Sequence, residues 1–516
     1  MASWAEIGDY SRLVNTEGME PRAYQIGIAA SIAKGSNSLV ILPTGLGKTL
    51  IAVLSIANTL SKGRKAILLA PTKPLSEQHH SSLANLLNVD KDAILLLTGS
   101  IARKRRTEVE NNARVIAATP QTVANDLKSG RLSLDGFGLV VFDECHRAVG
   151  RYAYTYIADE CKLRGIQLLG LTASPGSNRK RIEALLSTLG IENIEMRVST
   201  DRDVAPYVMD KYTRVITVEK NEQMNRILGS LKPVIEEHLS KLYRYGLSPF
   251  KGFDSMPKGR LLQIGDNIGR LQAQGYKHMA TFSYVYVLHL SHAYDLLSTE
   301  GFYPFISYLD SLREKEKKSR VLNSILNNPV VINSSISARE ALRDGVDHPK
   351  IFKIIDLLST ELKGKTVMVF AQYRFAVKRI VELLGQYGIE ASAFVGKKEG
   401  VTQASQREVI DRFRAGAFKV LVSTSIGEEG LDIPSVDAVI FYEPIPNEIR
   451  NIQRRGRAGR MKLGEVFILV TRGTRDEAYF MISRMRERRM HEVVESAMRE
   501  LSRNSNKYNN VGQKLL

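Results

Sequence analysis

Near its amino terminus the chain reads SLVILPTGLGKT, from Ser38 to Thr49, and this stretch decides the fold. The residues up to Leu42 form a short apolar run that is typical of a buried strand, and a helical pattern follows Thr49. Between them lies a glycine-rich turn, whose backbone N–H groups can point toward phosphate oxygens. Lys48 adds a positive charge and Thr49 offers a hydroxyl to Mg²⁺. The predicted phosphate-binding residues are Pro43, Thr44, Gly45, Leu46, Gly47, Lys48 and Thr49.

Similar apolar runs recur along the chain, separated by helical patterns. They cover residues 66–70, 115–118, 139–142 and 167–171, and then 366–370, 420–423, 438–441 and 466–470. Nearly continuous apolar strands that alternate with helices indicate parallel sheets covered by helices on both faces. The fold class is therefore α/β, with two parallel-sheet lobes.

The strand pattern stops between about residues 211 and 345, where long helical patterns predict a mostly helical insert. Four segments follow from this reading. They are a first lobe at 1–205, the insert at 206–345, a second lobe at 346–490 and a polar tail at 491–516 that we expect to be disordered.

The composition limits the possible partners. With 73 Lys and Arg against 55 Asp and Glu, the formal net charge is +18, which favours a polyanionic partner such as nucleic acid. A basic solvated surface is the other reading of the same charge. The chain has only two cysteines, Cys145 and Cys161, so a disulfide framework and a four-thiolate zinc site are excluded. The sequence lacks a signal peptide and an apolar run of membrane-spanning length, which predicts a cytoplasmic protein, nucleoid-associated in a prokaryote, with no membrane partner.

A second polar cluster, Asp143-Glu144-Cys145-His146, directly follows an apolar strand. In a parallel sheet an acidic pair at the carboxyl end of a neighbouring strand lies beside the phosphate loop. Asp143 would then hold Mg²⁺ and Glu144 would polarise the attacking water. A zinc site or a Cys/His nucleophile is the alternative, but no further ligands lie at suitable spacing. His146 is expected to couple the nucleotide site to the other lobe.

These motifs resemble those of superfamily 2 helicases of the DEAD/DEAH-box kind over about residues 20–480. The resemblance implies two RecA-like lobes, with ATP and Mg²⁺ as cofactors. It implies that Arg22 and Gln25 recognise adenine, and that Thr172 and Ser174 couple hydrolysis to lobe movement. Two loops of the first lobe would grip a nucleic-acid backbone through Pro71, Thr72, Lys73, Thr119 and Pro120.

In the second lobe the resemblance places Gln372, Arg374 and Thr424 on the nucleic acid, and Gly430 and Asp432 at the nucleotide. The stretch QRRGRAGR, from Gln453 to Arg460, is similar to the family's arginine-finger motif. Gln453, Arg457 and Arg460 would therefore act in catalysis, and such arginines typically contribute about 10³ to 10⁵ in rate. A nucleic-acid patch or a solvated basic face is the other reading of this stretch.

Within the superfamily the chain is similar to the Hef and FANCM group, in phrases that include residues 143–150, 394–396 and 441–446. That group carries a thumb-like insert that contacts branched or double-stranded DNA, although a simple spacer with a charged surface is also compatible. Hef proteins often continue into a nuclease, for which this chain is expected to be too short.

The resemblance predicts an ATP-dependent DNA helicase or translocase that acts on forks, flaps or four-way junctions, with repair or replication proteins as possible partners. Two alternatives stay open. One is an RNA-stimulated or double-stranded-RNA-stimulated translocase of the RIG-I-like or Dicer helicase type, which shares Asp-Glu-Cys-His and an inserted helical domain. The other is a non-catalytic nucleic-acid-binding scaffold.

Overall fold

The computed structural model describes residues 4–43, 46–99, 113–198, 201–204, 213–254, 256, 258–271, 274–315, 319–395, 403–424, 436–444 and 465–512. Two parallel sheets and a helical region between them make up this part of the chain. The prediction of two parallel-sheet lobes with a mostly helical insert is confirmed. Among the helices of these ranges, none is long and apolar enough to cross a membrane.

The first lobe is built on a seven-stranded sheet of order β3-β4-β2-β5-β6-β1-β7, in which every pairing is parallel. Its strands are β1 (Ser38–Ile41), β2 (Lys65–Leu69), β3 (Ile94–Leu97), β4 (Val115–Ala118), β5 (Phe137–Asp143), β6 (Gln167–Thr172) and β7 (Asn193–Met196). The central strands are buried on both faces, since an apolar cluster packs against each side of the sheet. This burial explains their uninterrupted apolar sequences.

Within the described residues, six α-helices cover the first sheet. They are α1 (Ala23–Ile32), α2 (Lys48–Ser61), α3 (Lys73–Leu86), α4 (Pro120–Lys128), α5 (Ala153–Leu163) and α6 (Arg179–Leu189), and 3₁₀ turns occupy Trp4–Leu13, Lys91–Ala93 and Cys145–Arg147. Helices α2, α3 and α4 each begin directly after a strand of the sheet has ended. Their amino termini therefore lie at the carboxyl edge of the sheet, where α/β proteins bind ligands.

The described part of the insert contains six helices. They are α7 (Glu222–Arg244), α8 (Lys258–Gly269), α9 (Gln274–Thr299), α10 (Phe302–Arg313), α11 (Arg320–Leu326) and α12 (Pro329–Arg343). Helix α7 buries Leu228, Leu231, Ile235, Leu239 and Leu242 at helical spacing, and this stripe packs into a cluster shared with α9. The insert therefore has a hydrophobic core of its own.

The second lobe carries a six-stranded parallel sheet of order β10-β11-β9-β12-β13-β8. Its strands are β8 (Thr213–Val218), β9 (Val367–Phe370), β10 (Ala391–Phe394), β11 (Val420–Ser423), β12 (Ala438–Phe441) and β13 (Glu465–Thr471), and its helices are α13 (Pro349–Ser359), α14 (Arg374–Gln386) and α15 (Gln403–Arg414).

The edge strand β8 differs from the sequence prediction, which ended the strand pattern at residue 211 and assigned 206–345 to the insert. Residues 213–218 pair in parallel with β13, from Val466↔Thr213 to Thr471↔Val218, and so extend the sheet of the second lobe. The strand was missed because it lies at an edge and is mostly exposed, so its sequence TRVITV lacks a buried apolar run.

The last helix, α16 (Arg475–Gly512), corrects the expectation of a disordered tail from residue 491. It starts beside the second lobe and continues to the first, where Met490 and Val494 are buried in the core. Ala497 and Leu501 pack against the same cluster. Charged residues of the exposed face are frequent in this segment, so the apolar stripe that packs on the first lobe is difficult to recognise in the sequence.

Candidate nucleotide site and nucleic-acid face

The predicted phosphate loop lies between β1 and α2. Gly47 caps α2 in the left-handed conformation, with φ of 78°, which glycine adopts without strain. The Nζ of Lys48 donates to the carbonyl oxygens of Leu42, at 2.9 Å, and Pro43, at 3.4 Å. The lysine is thereby held over its own loop, and Thr49 follows it in the first turn of α2. Thr44 and Gly45 lie outside the described residues.

Helix α1 supports this loop through two buried side chains. The Tyr24 hydroxyl donates to the Leu46 carbonyl at 2.8 Å, and Nε2 of Gln25 donates to the same oxygen at 3.1 Å. A Cβ at Gly47 would meet that Nε2, and the positive φ at this position already strains any residue other than glycine. Arg22 donates from Nη1 to the Tyr24 hydroxyl at 3.3 Å. Arg22 and Gln25 are thus placed beside the phosphate loop, while adenine recognition by them stays a prediction.

The acid pair follows β5, which lies between β2 and β6 in the sheet. One carboxylate oxygen of Asp143, Oδ2, lies 2.8 Å from Nε2 of His79, and the other accepts from the Glu144 N–H at 3.0 Å. Burial would raise the pKa of the Asp143 carboxyl, but the His79 hydrogen bond and the charges of His79 and Lys48 hold it below its ordinary value. Asp143 is therefore ionised and close to Lys48.

Glu144 has φ of 49°, the only positive value at a non-glycine residue in the described ranges. The left-handed conformation turns the chain sharply after the strand, so that Glu144 and Asp143 do not alternate as they would along an extended strand. Such a strained position at the end of a strand is typical of functional sites.

The donor set suits Mg²⁺ and does not suit a transition metal. Mg²⁺ binds to one or two carboxylates and fills its shell with phosphate oxygens and water, a role open to Asp143 and the Thr49 hydroxyl. Within the described ranges no three His, Cys, Asp or Glu side chains are grouped to hold a metal ion. Cys145 is fully buried, which raises the pKa of its thiol well above the ordinary value. It packs so closely on β6 that a Cβ at Gly170 would lie 3.0 Å from its Sγ.

The three predicted coupling residues are brought together. Nδ1 of His146 lies 3.2 Å from the Thr172 hydroxyl and 3.4 Å from the Glu144 carboxylate. The Thr172 hydroxyl donates to the Ser174 carbonyl at 3.0 Å, and the Ser174 hydroxyl lies 2.8 Å from the Met490 sulfur on α16. A continuous chain of contacts therefore runs from the acid pair to the helix that comes from the second lobe.

The two predicted nucleic-acid loops of the first lobe lie at the same edge of the sheet, because β2 and β4 are adjacent. Thr72 and Thr119 are the residues that precede α3 and α4, so the free N–H groups of two helix starts accompany them. The Thr72 Oγ1 is buried and makes no hydrogen bond to any described residue, whereas the Thr119 hydroxyl pairs with Thr122 at 2.9 Å. Pro71, Lys73 and Pro120 complete these loops.

In the second lobe the corresponding residues follow β9 and β11, which are also adjacent. Gln372 and Arg374 come after β9, and the Gln372 N–H donates to the Glu443 carboxylate that follows β12. Thr424 comes after β11 with only 5% of its surface exposed, and its Oγ1 has no hydrogen-bond partner within the described ranges. Each lobe therefore holds a buried threonine hydroxyl that has no hydrogen-bond partner among the described residues.

The lobes also contact each other directly. Nη2 of Arg407 on α15 lies 3.3 Å from the Glu77 carboxylate on α3, and Lys73 lies 3.7 Å from the same carboxylate group. Helix α3 thus faces the second lobe.

Comparison with known proteins assigns the family. Residues 22–182 match the DEAD/DEAH box helicase family and residues 349–462 match the helicase conserved C-terminal domain. The crystal structure of the Pyrococcus furiosus Hef helicase domain is 40% identical, with a TM-score of 0.74, over 91% of this chain and 100% of that chain. The chain belongs to the DEAD/DEAH-box helicase family. The resemblance read from the sequence motifs is confirmed.

Other relatives of this helicase are longer proteins. A Methanocaldococcus jannaschii protein that carries the provisional name of an ATP-dependent RNA helicase is 38% identical over 94% of this chain and 62% of its own length. The Arabidopsis thaliana DEAD-box ATP-dependent RNA helicase FANCM is 32% identical over 94% of this chain and 37% of its own length. The Neurospora crassa ATP-dependent DNA helicase mph1 is 31% identical over 89% of this chain and 41% of its own length. The helicase chain thus spans less than two thirds of these relatives.

The remaining predicted residues of the helicase site fall outside the described ranges. They are Gly430, Asp432, Gln453, Arg457 and Arg460. The match to the helicase C-terminal domain, which ends at residue 462, includes their positions. Their nucleotide contacts stay predictions.

Sequence reasoning missed two residues of this helicase site. His79 contacts Asp143 across 64 positions of sequence, and Tyr24 contacts Leu46 across 22. His79 stands seven residues after Thr72 in a helical pattern, which indicates the buried face of α3 but not its partner. Tyr24 lies between Arg22 and Gln25, the two residues predicted to recognise adenine, and its hydroxyl could have indicated a polar contact in this segment.

Proposed function

We propose that this protein is an ATP-driven DNA helicase or translocase that acts on branched DNA, such as forks, flaps and four-way junctions, in replication-fork repair. The observation that carries the proposal is the common edge of the first sheet. Lys48, Thr72 and Thr119 follow strands of that sheet at their carboxyl ends, and Asp143 is the last residue of another strand. A nucleotide site and a nucleic-acid face thereby share one rigid scaffold.

The phosphate loop would bind the nucleotide triphosphate through the first N–H groups of α2 and the Lys48 ammonium. Tyr24 and Gln25 hold the Leu46 carbonyl of this loop in place through two hydrogen bonds. Thr49 and Asp143 would hold Mg²⁺, and the ion when bound neutralises developing charge on the phosphate oxygens. Asp143 is prepared for this role because it is already ionised.

Glu144 would act as the base that orients the attacking water, since it directly follows Asp143 on a turn in the left-handed conformation. Arg457 and Arg460 of the second lobe, with Gln453, would complete the site when the lobes close. Gly430 and Asp432 would contact the same nucleotide from the second lobe. Closing and opening of the cleft would accompany binding and release of nucleotide.

Nucleic acid would lie across both lobes. The hydroxyls of Thr72, Thr119 and Thr424, and the helix starts beside them, suit phosphate oxygens better than base edges, so low sequence specificity is expected. Lys73, Gln372 and Arg374 would add contacts on the same face. The insert would add contacts to duplex DNA or to junctions through basic positions such as Lys251 and Arg260.

The relatives support DNA as the substrate. The Neurospora crassa relative mph1 is named an ATP-dependent DNA helicase. Proteins of replication and repair are the expected partners, in the cytoplasm. Two relatives carry the name of an RNA helicase, and this observation favours an RNA-stimulated translocase as the second candidate.

The test is ATP turnover and strand separation measured in parallel on single-stranded, duplex, forked and four-way DNA and on single- and double-stranded RNA. We expect forked and four-way DNA to stimulate turnover most. Lys48→Ala should abolish turnover while the fold is kept, because the Nζ hydrogen bonds it removes are local to the loop. Stimulation by RNA with none by forked DNA would contradict the proposal. Turnover of Lys48→Ala at the wild-type rate would contradict the nucleotide-site assignment.

A salt titration adds an independent measurement. If phosphate contacts dominate, the logarithm of the binding constant for DNA should fall linearly with the logarithm of salt concentration, by about 0.9 for each phosphate neutralised. A flat response would contradict binding through the phosphate backbone.

A further inference from the structure

Helix α3 contacts three parts of the molecule that have separate roles in the proposed function. It begins directly after Thr72 in a nucleic-acid loop. Its Glu77 pairs with Arg407 of the second lobe at 3.3 Å. Its His79 lies 2.8 Å from the Asp143 carboxylate. One helix therefore joins the nucleic-acid loop, the opposite lobe and the predicted magnesium ligand.

The contact between His79 and Asp143 is enclosed. His79 is 8% exposed and Asp143 is 9% exposed, so water does not compete strongly for this hydrogen bond. Because the Glu144 N–H occupies the other carboxylate oxygen at 3.0 Å, the orientation of the Asp143 carboxylate is fixed from two sides. The Glu144 N–H lies at the end of the same strand as Asp143, whereas His79 lies on α3.

The imidazole of His79 depends on α3 for its position. Its Nδ1 is buried and makes no hydrogen bond to any described residue, so Asp143 is the ring's hydrogen-bonding partner there. At the start of the helix, the Ser76 hydroxyl donates to the Thr72 carbonyl at 3.1 Å. This bond ties the nucleic-acid loop to the first turn of α3. A shift of the loop would therefore move the helix and, with it, the imidazole.

The distance along α3 between Thr72 and His79 is short. Seven residues from Thr72 to His79 correspond to about 10 Å of α-helix, which is two turns. Such a segment is stiff, so a displacement at Thr72 is not absorbed before it reaches His79. Glu77 lies between them and faces Arg407, so closure of the second lobe acts on the same two turns.

We propose that His79 is a positioning residue for Asp143, and that α3 transmits both nucleic-acid binding at Thr72 and lobe closure at Glu77 to the magnesium ligand. This inference rests on the proposed function, in which Asp143 holds Mg²⁺. It adds a route by which DNA binding would stimulate ATP turnover.

The test uses the whole chain and follows binding of a fluorescent ADP analogue while MgCl₂ is titrated. His79→Leu removes the hydrogen bond, and the Mg²⁺ concentration for half-maximal binding should rise by about 10-fold or more, the usual cost of losing a partner behind a metal ligand. His79→Gln, whose amide can reach Asp143, should restore most of the wild-type Mg²⁺ requirement. His80→Leu is the matched control, because His80 contacts the Ile94 carbonyl and not the site.

The transmission is tested by repeating the titration with a single-stranded DNA oligonucleotide. In the wild type DNA should lower the Mg²⁺ requirement, and in His79→Leu this effect should disappear. Glu77→Gln should keep the wild-type requirement without DNA and lose part of the DNA effect, since it weakens the contact to Arg407 and leaves His79 in place.

An unchanged Mg²⁺ requirement in a folded His79→Leu protein, with helix content verified by circular dichroism, would overturn the positioning role. If His79→Leu does not fold, His79→Asn carries the same expectation, because its amide is too short to reach Asp143. If DNA lowers the Mg²⁺ requirement of His79→Leu or of Glu77→Gln as much as it does in the wild type, the proposed transmission through α3 is overturned. Wild-type protein that binds the ADP analogue without any dependence on Mg²⁺ would instead remove the proposed role of Asp143.

Discussion

The imidazole of His146 lies 3.2 Å from the Thr172 hydroxyl, so the turn after the acid strand is bonded to the loop that follows the next strand of the sheet. The same hydroxyl donates to the Ser174 carbonyl, and Ser174 touches Met490 on α16. Because α16 starts at the second lobe, these contacts connect the candidate nucleotide site to that lobe.

Thr172→Val should separate ATP turnover from strand separation. Valine keeps the shape of threonine but cannot bond to His146, so turnover should stay within about threefold while strand separation falls roughly 5- to 100-fold, the usual range of a coupling free energy. Phosphate release and unwinding of forked DNA are the two measurements. The control is Thr155→Val, which removes an exposed hydroxyl bonded to the Gly150 carbonyl. Parallel loss of both activities in Thr172→Val would contradict a coupling role.

Glu144→Gln should bind ATP and DNA with wild-type affinity and turn over about 10² to 10⁴-fold more slowly, the usual contribution of a general base. Glutamine has the same shape, so the turn at Glu144 is preserved. A fluorescent ATP analogue reports binding and phosphate release reports turnover. Glu160→Gln on the surface of α5 is the control. Equal loss of nucleotide binding in Glu144→Gln would argue against its role as the base.

Lys350→Met should destabilise the joint between the insert, the second lobe and α16. Its ammonium is fully buried, 2.5 Å from the Asp476 carboxylate, and donates to the Thr299 carbonyl at 3.0 Å. Removing the lysine leaves a buried unpaired carboxylate, which typically costs about 3–5 kcal/mol in the free energy of unfolding.

Urea denaturation measures this loss, and two further variants sharpen it. Lys353→Met breaks an exposed pair with Asp356 on the same helix and should cost less than about 1 kcal/mol. Adding Asp476→Asn to Lys350→Met removes the stranded charge and should recover part of the stability. If Lys350→Met and Lys353→Met lose the same free energy, the buried pair does not hold the joint.

The insert should lose stability on acidification. Burial, together with the charge of Lys241, lowers the pKa of His238 to about 4. In the unfolded chain this histidine binds a proton below about pH 6.5, whereas in the folded insert it stays neutral until about pH 4. Its contribution is therefore fully present above pH 6.5 and is lost as the pH falls toward 4, by roughly 1 to 3 kcal/mol.

Hydrogen exchange of peptides from α7 and α9 at pH 7 and pH 5, corrected for the intrinsic rate, measures this effect locally. His238→Phe should weaken the pH dependence, because phenylalanine keeps the ring stack with Tyr286, whose centroid lies 3.9 Å away, and cannot be protonated. Burial also lowers the pKa of His289 and His292 in α9, so a smaller dependence should persist. Equal protection of the wild type at both pH values would contradict the assignment.

Much of the fold could be predicted from the sequence because both sheets are buried. Apolar runs such as residues 139–142 mark parallel strands, and the loop before Lys48 marks the edge where ligands bind. The edge strand at Thr213–Val218 and the apolar stripe of α16 could not be recognised, since both are largely exposed or flanked by charge. Their places depend on partners far away in the sequence.

The residues of the candidate site could be predicted where they lie within one short sequence motif. Lys48 and Asp143 could be assigned from short motifs because the chemistry requires those side chains directly after a strand. His79 and Met490 could not, because each acts through a contact whose partner is 64 or 316 residues away. A single sequence carries no record of such pairs.

The order of the segments along the polypeptide has a consequence for how the protein is made. The second sheet takes its edge strand from residues 213–218, before the insert, and the first lobe takes Met490 and Val494 from α16. During synthesis, the first lobe can thus bury the apolar surface that contacts these two residues only after the ribosome has translated past residue 494. Until then that surface would be exposed to chaperones, and the two lobes would mature together instead of one after the other.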